Sequence, residues 1–447
     1  MLIETFRSRM IEFVPNKFLA WFRVIAYGLM AIEVSGLRSN GYLYRVLCEE
    51  NIRFPYEFLP INMVFEESSV NVLIGIISLS AVFCAIGFMY KYARWIFLFS
   101  YSCLFFQDKL LWNNHWYLFV LIGVLAIVVN LGKNYSIDTL INPKKRETVC
   151  PRWHYYLFTF QIALVYFYGG VAKLNYDWLV NAEPIATLLA QREHFFLLGG
   201  FFQLPVAKYF FAYSGLLFDL AVPFLLLNRK TFKAGLILTF VFNGLNSVIF
   251  HIGMFPYFML ATNLLFAHVL LSAETSVVKG KNQVQESTEL GLPKKVFIYL
   301  FIAFQVLFPL RQFMYKGNPS WIGVAEKFSW RMMIQYKELD EFKFFIYFTE
   351  TEKKEEVQLQ LIENHKTLMI AFPETIAQCA IGMREHFEKN GLKNFEIRAD
   401  IRVNMNNRPF QYLVKRDYDL STEKRSLFKA PDYIVPQVKF HHTAIEQ

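Results

Sequence analysis

Long apolar runs separated by short polar stretches fill the first 310 residues of the chain. Windows of this kind read as membrane-spanning helices, because a span needs roughly 20 apolar residues to cross ~30 Å of hydrocarbon. The pattern predicts about nine spans, at 17–36, 70–90, 93–107, 116–131, 153–172, 206–228, 233–250, 252–272 and 295–310. The third and fourth are short. The seventh and eighth are nearly continuous, broken only at His251, Ile252 and Gly253, so their junction is a tight hairpin or a re-entrant segment. After Pro309 the pattern changes. FKFFIYFTE (342–350), EVQLQLI (356–362) and NFEIRADIRVNM (394–405) alternate like strands, and 373–391 reads as a helix with Gly391 just past its end. The expected fold is a polytopic α-helical membrane protein, residues 1–310, followed by a C-terminal extramembrane α+β domain, residues 311–447.

Composition agrees. Of 447 residues, 55% are hydrophobic and only 19% charged, poor for a soluble protein and suited to a lipid bilayer. The net charge of +9 resides largely in loops between spans, with no basic patch interleaved with aromatics, which argues against nucleic acid. With the N-terminus cytoplasmic, inner loops carry 16 Lys and Arg against 5 in the outer loops. An odd span count then puts the C-terminal domain on the extracytoplasmic side. The five cysteines lack CxxC or metal-ligand spacing, so neither a metal nor a disulfide framework is expected. No cleavable signal peptide is evident at the start.

Against this background a few polar residues need a reason. The 153–172 span ends YFYGGVAKLNYDW, with Lys173 just after Gly169 and Gly170. The glycines allow a neighbouring helix or a flat ligand to come close to the backbone. Lys173 either snorkels to the interface or is held in apolar surroundings, where desolvation disfavours the ammonium and leaves an amine able to act as a base. As a span-end residue it is expected to add little to helix packing. WNNHWYLF (112–119) brings Asn113, Asn114 and His115 to the same outer side, and FHIGMFPYFMLA (250–261) brings His251. Asp219 lies mid-span. An intramembrane carboxylate is a functional hypothesis by default, yet a structural pairing with Asn243, Asn246 or Gln161 is the favoured reading. Glu33 and Arg23 in the first span are too far apart to share one helical turn and are expected to have different partners.

YFYGGVAKLNYDW, WNNHWYLF, HIGMFPYFMLA and FSWRMM (328–333), taken with their spacing, resemble the vitamin K-dependent gamma-glutamyl carboxylase and its bacterial relatives in the HTTM family. The resemblance covers about residues 17 to 436, the strand region DIRVNMNNRPFQ included. It implies that Lys173, the second lysine position of a GVKKL-type run, is the base, while Ala172 stands where the family has the first lysine. It gives His115, after two asparagines, a helper role together with Asn114. Gly169, Gly170, His251, Met254, Phe255 and Tyr257 would contact the quinone. The segment 311–330 resembles the glutamate- and peptide-contacting loop, with Trp321, Tyr315 and Trp330 as aromatic contacts. The implied cofactor is reduced vitamin K, with dioxygen and carbon dioxide as co-substrates, and the implied partner is a glutamate-containing peptide or protein. In that chemistry the oxygenated quinol removes a glutamyl γ-proton, the carbanion captures carbon dioxide and the quinone leaves as its epoxide. Propeptide recognition as in the longer animal enzyme is not implied.

Two other functions compete. One is quinol epoxidation or oxidation without peptide carboxylation. The other is a non-catalytic transport or scaffold protein, against which stand the lack of inverted repeats and a lysine and histidines at one depth.

Overall fold

The computed structural model describes residues 8–39, 41–49, 52–56, 66–250, 252–272, 291–359, 361, 363–424 and 429–438. His251 and most of the predicted inner loop 273–294 lie outside them. Helices α1 (Lys17–Ser39), α2 (Glu67–Ile86), α3 (Tyr90–Phe105), α4 (Asn114–Val128), α5 (Trp153–Ala172), α6 (Pro205–Leu227), α7 (Phe232–Ile249), α8 (Phe255–Phe266) and α9 (Leu292–Leu307) form the apolar body. Each predicted span falls on one of them, but among the described residues fewer than nine pass as crossings by length and composition. Among the described residues six helices are long and apolar enough to cross a membrane: α1, α2, α5, α6, α7 and α9 with its 3-10 extension to Phe313. Helix α3 has 16 residues and α4 has 15, which at ~1.5 Å per residue stop short of ~30 Å. Beyond α4 the chain bends by 59° into Leu131–Ile141. Helix α8 runs only 12 residues before a 3-10 turn.

The spans turn apolar side chains outward as well as inward. Phe99, Leu217, Phe224 and Ile237 are exposed on α3, α6 and α7, as a lipid-facing surface requires. Two short strands, β1 (Phe13–Pro15) and β2 (Val149–Pro151), pair antiparallel and tie the entry of α1 to the entry of α5. Arg23, fully buried, donates from Nη2 to the carbonyl of Tyr135 at 2.6 Å. It closes on Gly87, where a Cβ would lie 2.0 Å from its Nη1; Gly87 also has φ +68°, so only glycine suits this turn. Asp138 caps the start of α3 by accepting from the N–H groups of Met89 (2.8 Å) and Tyr90 (2.9 Å).

The C-terminal region is a four-stranded antiparallel sheet in the order β4–β3–β5–β6: β3 (Lys337–Phe348), β4 (Lys354–Val357), β5 (Phe395–Met405) and β6 (Gln411–Tyr412). The 342–350 and 394–405 strands appear as expected. EVQLQLI does not: only its first two residues pair with β3, and the chain then turns into an unexpected helix, α10 (Glu363–Ala371). Helix α11 (Glu374–Lys389) matches the predicted one, with Gly391 at φ +89° just beyond it. Alternate residues of β5, Phe395, Ile397, Ala399, Ile401 and Val403, bury one face of the sheet beneath these helices.

This region sits on the side of the α3–α4 and α5–α6 connections. Asp177 accepts from Asn406 Nδ2 (3.0 Å) and from both Arg408 Nη atoms. Lys109 Nζ donates to Gln378 Oε1 (3.1 Å), and Gln191 Nε2 to the Tyr336 hydroxyl (2.9 Å). Asp108 is buried under the same seam and accepts from the N–H groups of Phe54 and Leu110; burial pushes its carboxyl up to about 6. Lys327 meets Glu374 at 2.5 Å. Burial pulls the Glu374 carboxyl upward, but Lys327 and Lys109 outweigh it and hold it below the ordinary range.

Candidate functional site

Helix α5 ends in a glycine pair because α6 must come close there. A Cβ on Gly170 would lie 2.6 Å from Leu220 Cδ2, and one on Gly169 would lie 3.0 Å from Met332 Cε and 3.3 Å from Asp219 Oδ2. Of the two uses read for these glycines, the helix approach is present; the cavity that Lys173 lines adjoins this end of α5, and neither glycine is among the residues lining it. The close approach carries Asp219 to Lys173. Lys173 Nζ reaches back to the Gly169 carbonyl at 3.2 Å and across to Asp219 Oδ2 at 2.5 Å. Both side chains are 7% exposed, and the Trp178 ring centroid lies 5.2 Å from Nζ. Lys173 therefore does not snorkel. The favoured structural partners of Asp219 are also replaced: Asn243 instead donates to the Thr239 carbonyl one turn away at 2.9 Å.

Helix α4 supplies the second part of the site. Asn113 caps it by accepting from the His115 N–H at 3.0 Å. Asn114 Nδ2 then donates to the carbonyl of Arg331 at 3.2 Å. The Arg331 guanidinium is held by Glu326 (2.8 Å), Gln312 (2.7 Å) and Ser320 (2.9 Å), which fixes that carbonyl. His115 Nε2 and Trp116 Nε1 both lie 3.2 Å from Glu33 Oε1 on α1. Glu33 and Arg23 thus have separate partners, as read from their spacing.

Lys173, Asp219, His115 and Asn114 all line one cavity of about 460 Å³, within the range of small-molecule sites. Its remaining wall is largely apolar. Phe218 and Phe242 stack at 3.8 Å between centroids, and Phe255 lies 5.9 Å from the His115 ring. Phe210, Leu238 and Val241 line the cavity and are also 45–58% exposed on the outer surface of α6 and α7. The cavity thus opens sideways where lipid would lie. Above it sit Arg331, Met332 and Met333 from the C-terminal region. Among the described residues no group of three or more His, Cys, Asp and Glu could hold a metal ion.

Other expected residues fall outside the cavity. Met254 directs its backbone at Glu33, and Tyr257 is half exposed on α8. Trp321 and Trp330 are fully buried, Trp330 where the C-terminal region meets α4, and Tyr315 is nearly so. Trp321 Nε1 donates to the Val435 carbonyl at 2.7 Å, and Trp330 packs on Tyr117. They hold the region together and present no surface to a peptide. Asp219 and Glu33 are the residues whose place in the site sequence reasoning did not assign, although a carboxylate inside a span is itself the signal.

Fold and site together define a multi-pass helical membrane protein, with a lysine–carboxylate pair in a lipid-open cavity beneath an extramembrane α+β region. Residues 13–269 match the HTTM domain, and residues 293–439 match the lumenal domain of vitamin K-dependent gamma-carboxylase. The chain belongs to the gamma-carboxylase-like HTTM family. No solved structure matches it. The lumenal-domain match supports an enzyme of the gamma-carboxylase family and points to the extracytoplasmic side for the C-terminal region. It begins within α9, ahead of the expected boundary at residue 311.

Proposed function

We propose that the chain is a vitamin K-dependent γ-glutamyl carboxylase, with Lys173 as its base. The observation that carries this is the buried Lys173–Asp219 pair, set in one lipid-open cavity with His115 and Asn114. The cavity fits a flat, lipophilic quinol. Asn114 Oδ1 is buried in its wall without a hydrogen-bond partner, stacked rings offer flat faces, and an apolar tail can leave between α6 and α7. Bound reduced vitamin K would supply the driving force, its oxygenation by dioxygen to the epoxide being coupled to capture of carbon dioxide by a peptide glutamate.

The protein's own groups do three things. Lys173 and Asp219 can hold one proton between Nζ and Oδ2; with the proton on Oδ2, Nζ offers a lone pair to a hydroxyl in the cavity. His115, oriented by Glu33, and Asn114, oriented by the Arg331 carbonyl, hold ring oxygens through hydrogen bonds. Residues 331–333 roof the cavity and restrict water, which would quench a carbanion. The division into a membrane part, 1–310, and an extracytoplasmic part, 311–447, belongs to this reading, with the peptide reaching the roof from outside.

The burial of Trp321, Trp330 and Tyr315 favours a second reading, quinol epoxidation without peptide carboxylation, because it removes the expected aromatic anchors for a peptide. One experiment separates them. Purified protein is incubated with reduced vitamin K, a glutamyl peptide and labelled bicarbonate, and both label and epoxide are followed. Both products support carboxylation, epoxide alone supports the second reading, and neither refutes both.

A further inference from the structure

The connection between the short helix Ile185–Ala190 and α6 contains FFLLGGFFQL at 195–204. It is built of turns and one short helix, Gly199–Phe202. Phe196 and Leu197 at its tip are 82% and 85% exposed, and Leu198, Phe201 and Leu204 are exposed beside them. A patch of this kind marks contact with a membrane or another protein.

Three observations choose the membrane. The first is depth. Phe201 lies with its ring centroid 6.5 Å from Phe210 and from Phe211, and Phe202 lies 5.7 Å from Phe211. The segment therefore folds back along the first turns of α6, past Lys208 and into the apolar stretch of a helix long enough to span. The second is continuity, since exposed Phe210 and Val206 on α6 extend the same apolar surface. The third is polarity. Arg192, Glu193 and His194 stand at the base of the segment, and its apolar residues follow, the order expected of a chain passing from head groups into acyl chains. The loop also closes on itself: a Cβ on Gly199 would lie 1.9 Å from the Glu193 carbonyl oxygen. Gln191, bonded to Tyr336, puts the base of the loop on the face that carries the C-terminal region.

We propose that residues 196–204 are a re-entrant loop inserted into the lipid leaflet on the side of the C-terminal region. Its apolar tip lies among acyl chains. The loop packs on Phe210 and Phe211, which line the cavity, so it borders the sideways opening and lets a lipid-borne ligand enter from that leaflet.

The test is thiol labelling in sealed vesicles of phosphatidylcholine with the C-terminal region outward, using a membrane-impermeant maleimide and subtracting the parent chain's labelling. Glu355→Cys on the exposed β4 strand and Glu193→Cys at the loop base should react. Phe196→Cys and Leu197→Cys should react about tenfold more slowly or less, because a thiol in apolar surroundings is inert, and should recover in detergent. Reaction of Phe196→Cys and Leu197→Cys at the Glu355→Cys rate would overturn the proposal. As a second measurement, Phe196→Trp should gain fluorescence quenched by lipids brominated on the acyl chain and not by aqueous iodide. The reverse pattern would also overturn it.

Discussion

Replacing Asp219 by Asn tests the pair at the centre of the site. The Nζ–Oδ2 separation is 2.5 Å and both side chains are 7% exposed. At an effective dielectric of ~20 the bare attraction is about 7 kcal/mol, before the cost of desolvating either group is subtracted. What a variant reports is different: breaking a buried pair by removing one partner costs about 3–5 kcal/mol, because the other charge is stranded. Asp219→Asn strands Lys173, and Lys173→Ala strands Asp219. Each single variant is therefore expected to lose that stability, contrary to the expectation that a span-end lysine matters little for packing. The double variant Lys173→Met/Asp219→Leu removes both charges and should recover most of the stability while making no epoxide. Thermal unfolding in nanodiscs, read beside epoxide formation from reduced vitamin K, separates the two effects. If Asp219→Asn unfolds like the parent and turns over at the parent's rate, the pair neither stabilises the fold nor serves the base. Epoxide formation by the double variant would remove Lys173 from the chemistry.

The other predictions follow from neighbouring groups. His115→Ala should slow turnover by about 10²–10³, the loss typical of one preorganised donor, and Glu33→Gln should lower the rate less by loosening His115; a His115→Ala protein with full rate would make the histidine only an interfacial residue. Asp108, with its carboxyl raised to about 6, binds its proton more readily folded than unfolded. Its contribution is thus fully present below about pH 4 and is lost as pH rises to about 6, a span of about 3 kcal/mol at ~1.4 per unit. Asp108→Asn should flatten that part of the stability–pH curve, and identical curves for parent and variant would refute it. Hydrogen exchange at a glutamyl γ-carbon should need both reduced vitamin K and dioxygen even without carbon dioxide, since tuning a lysine by a few pKa units cannot reach so weak an acid; anaerobic exchange without quinol would mean that Lys173 acts directly on the peptide.

The sequence was most informative about what repeats along one helix or strand. Period and apolar length placed α1, α2, α5, α6 and α7 to within a few residues, because an isolated span must satisfy its backbone internally whatever surrounds it. They did not separate an unbroken span from a shorter or bent apolar helix. Helices α3 and α4 are apolar but have only 16 and 15 residues, and α4 reaches the length of a span only together with Leu131–Ile141, across a bend of 59°. EVQLQLI alternates like a strand, yet β3 pairs with only its first residues, since pairing depends on where the partner ends and not on the segment itself.

The site divides along the same line, because sequence gives a residue's depth but not its direction. Lys173, His115 and Asn114 were brought to one side by counting spans, and depth alone suffices for that. The partner of Lys173 is a different matter. It depends on how α6 is rotated against α5, and this is set by side chains that no spacing links: Gly170 yielding to Leu220, and Gly169 leaving room for the carboxylate. Asp219 is 46 residues from Lys173, so no motif joins them. The aromatic residues at 315, 321 and 330 show the converse. Their spacing matched a contact loop, but a large ring gains more from burial than from solvent, and all three are buried, Trp330 against Tyr117 of α4. Arg331, Met332 and Met333 are left at the cavity roof, where the Arg331 carbonyl holds Asn114. A peptide glutamate reaching this site would therefore meet the 331–333 segment rather than an aromatic clamp.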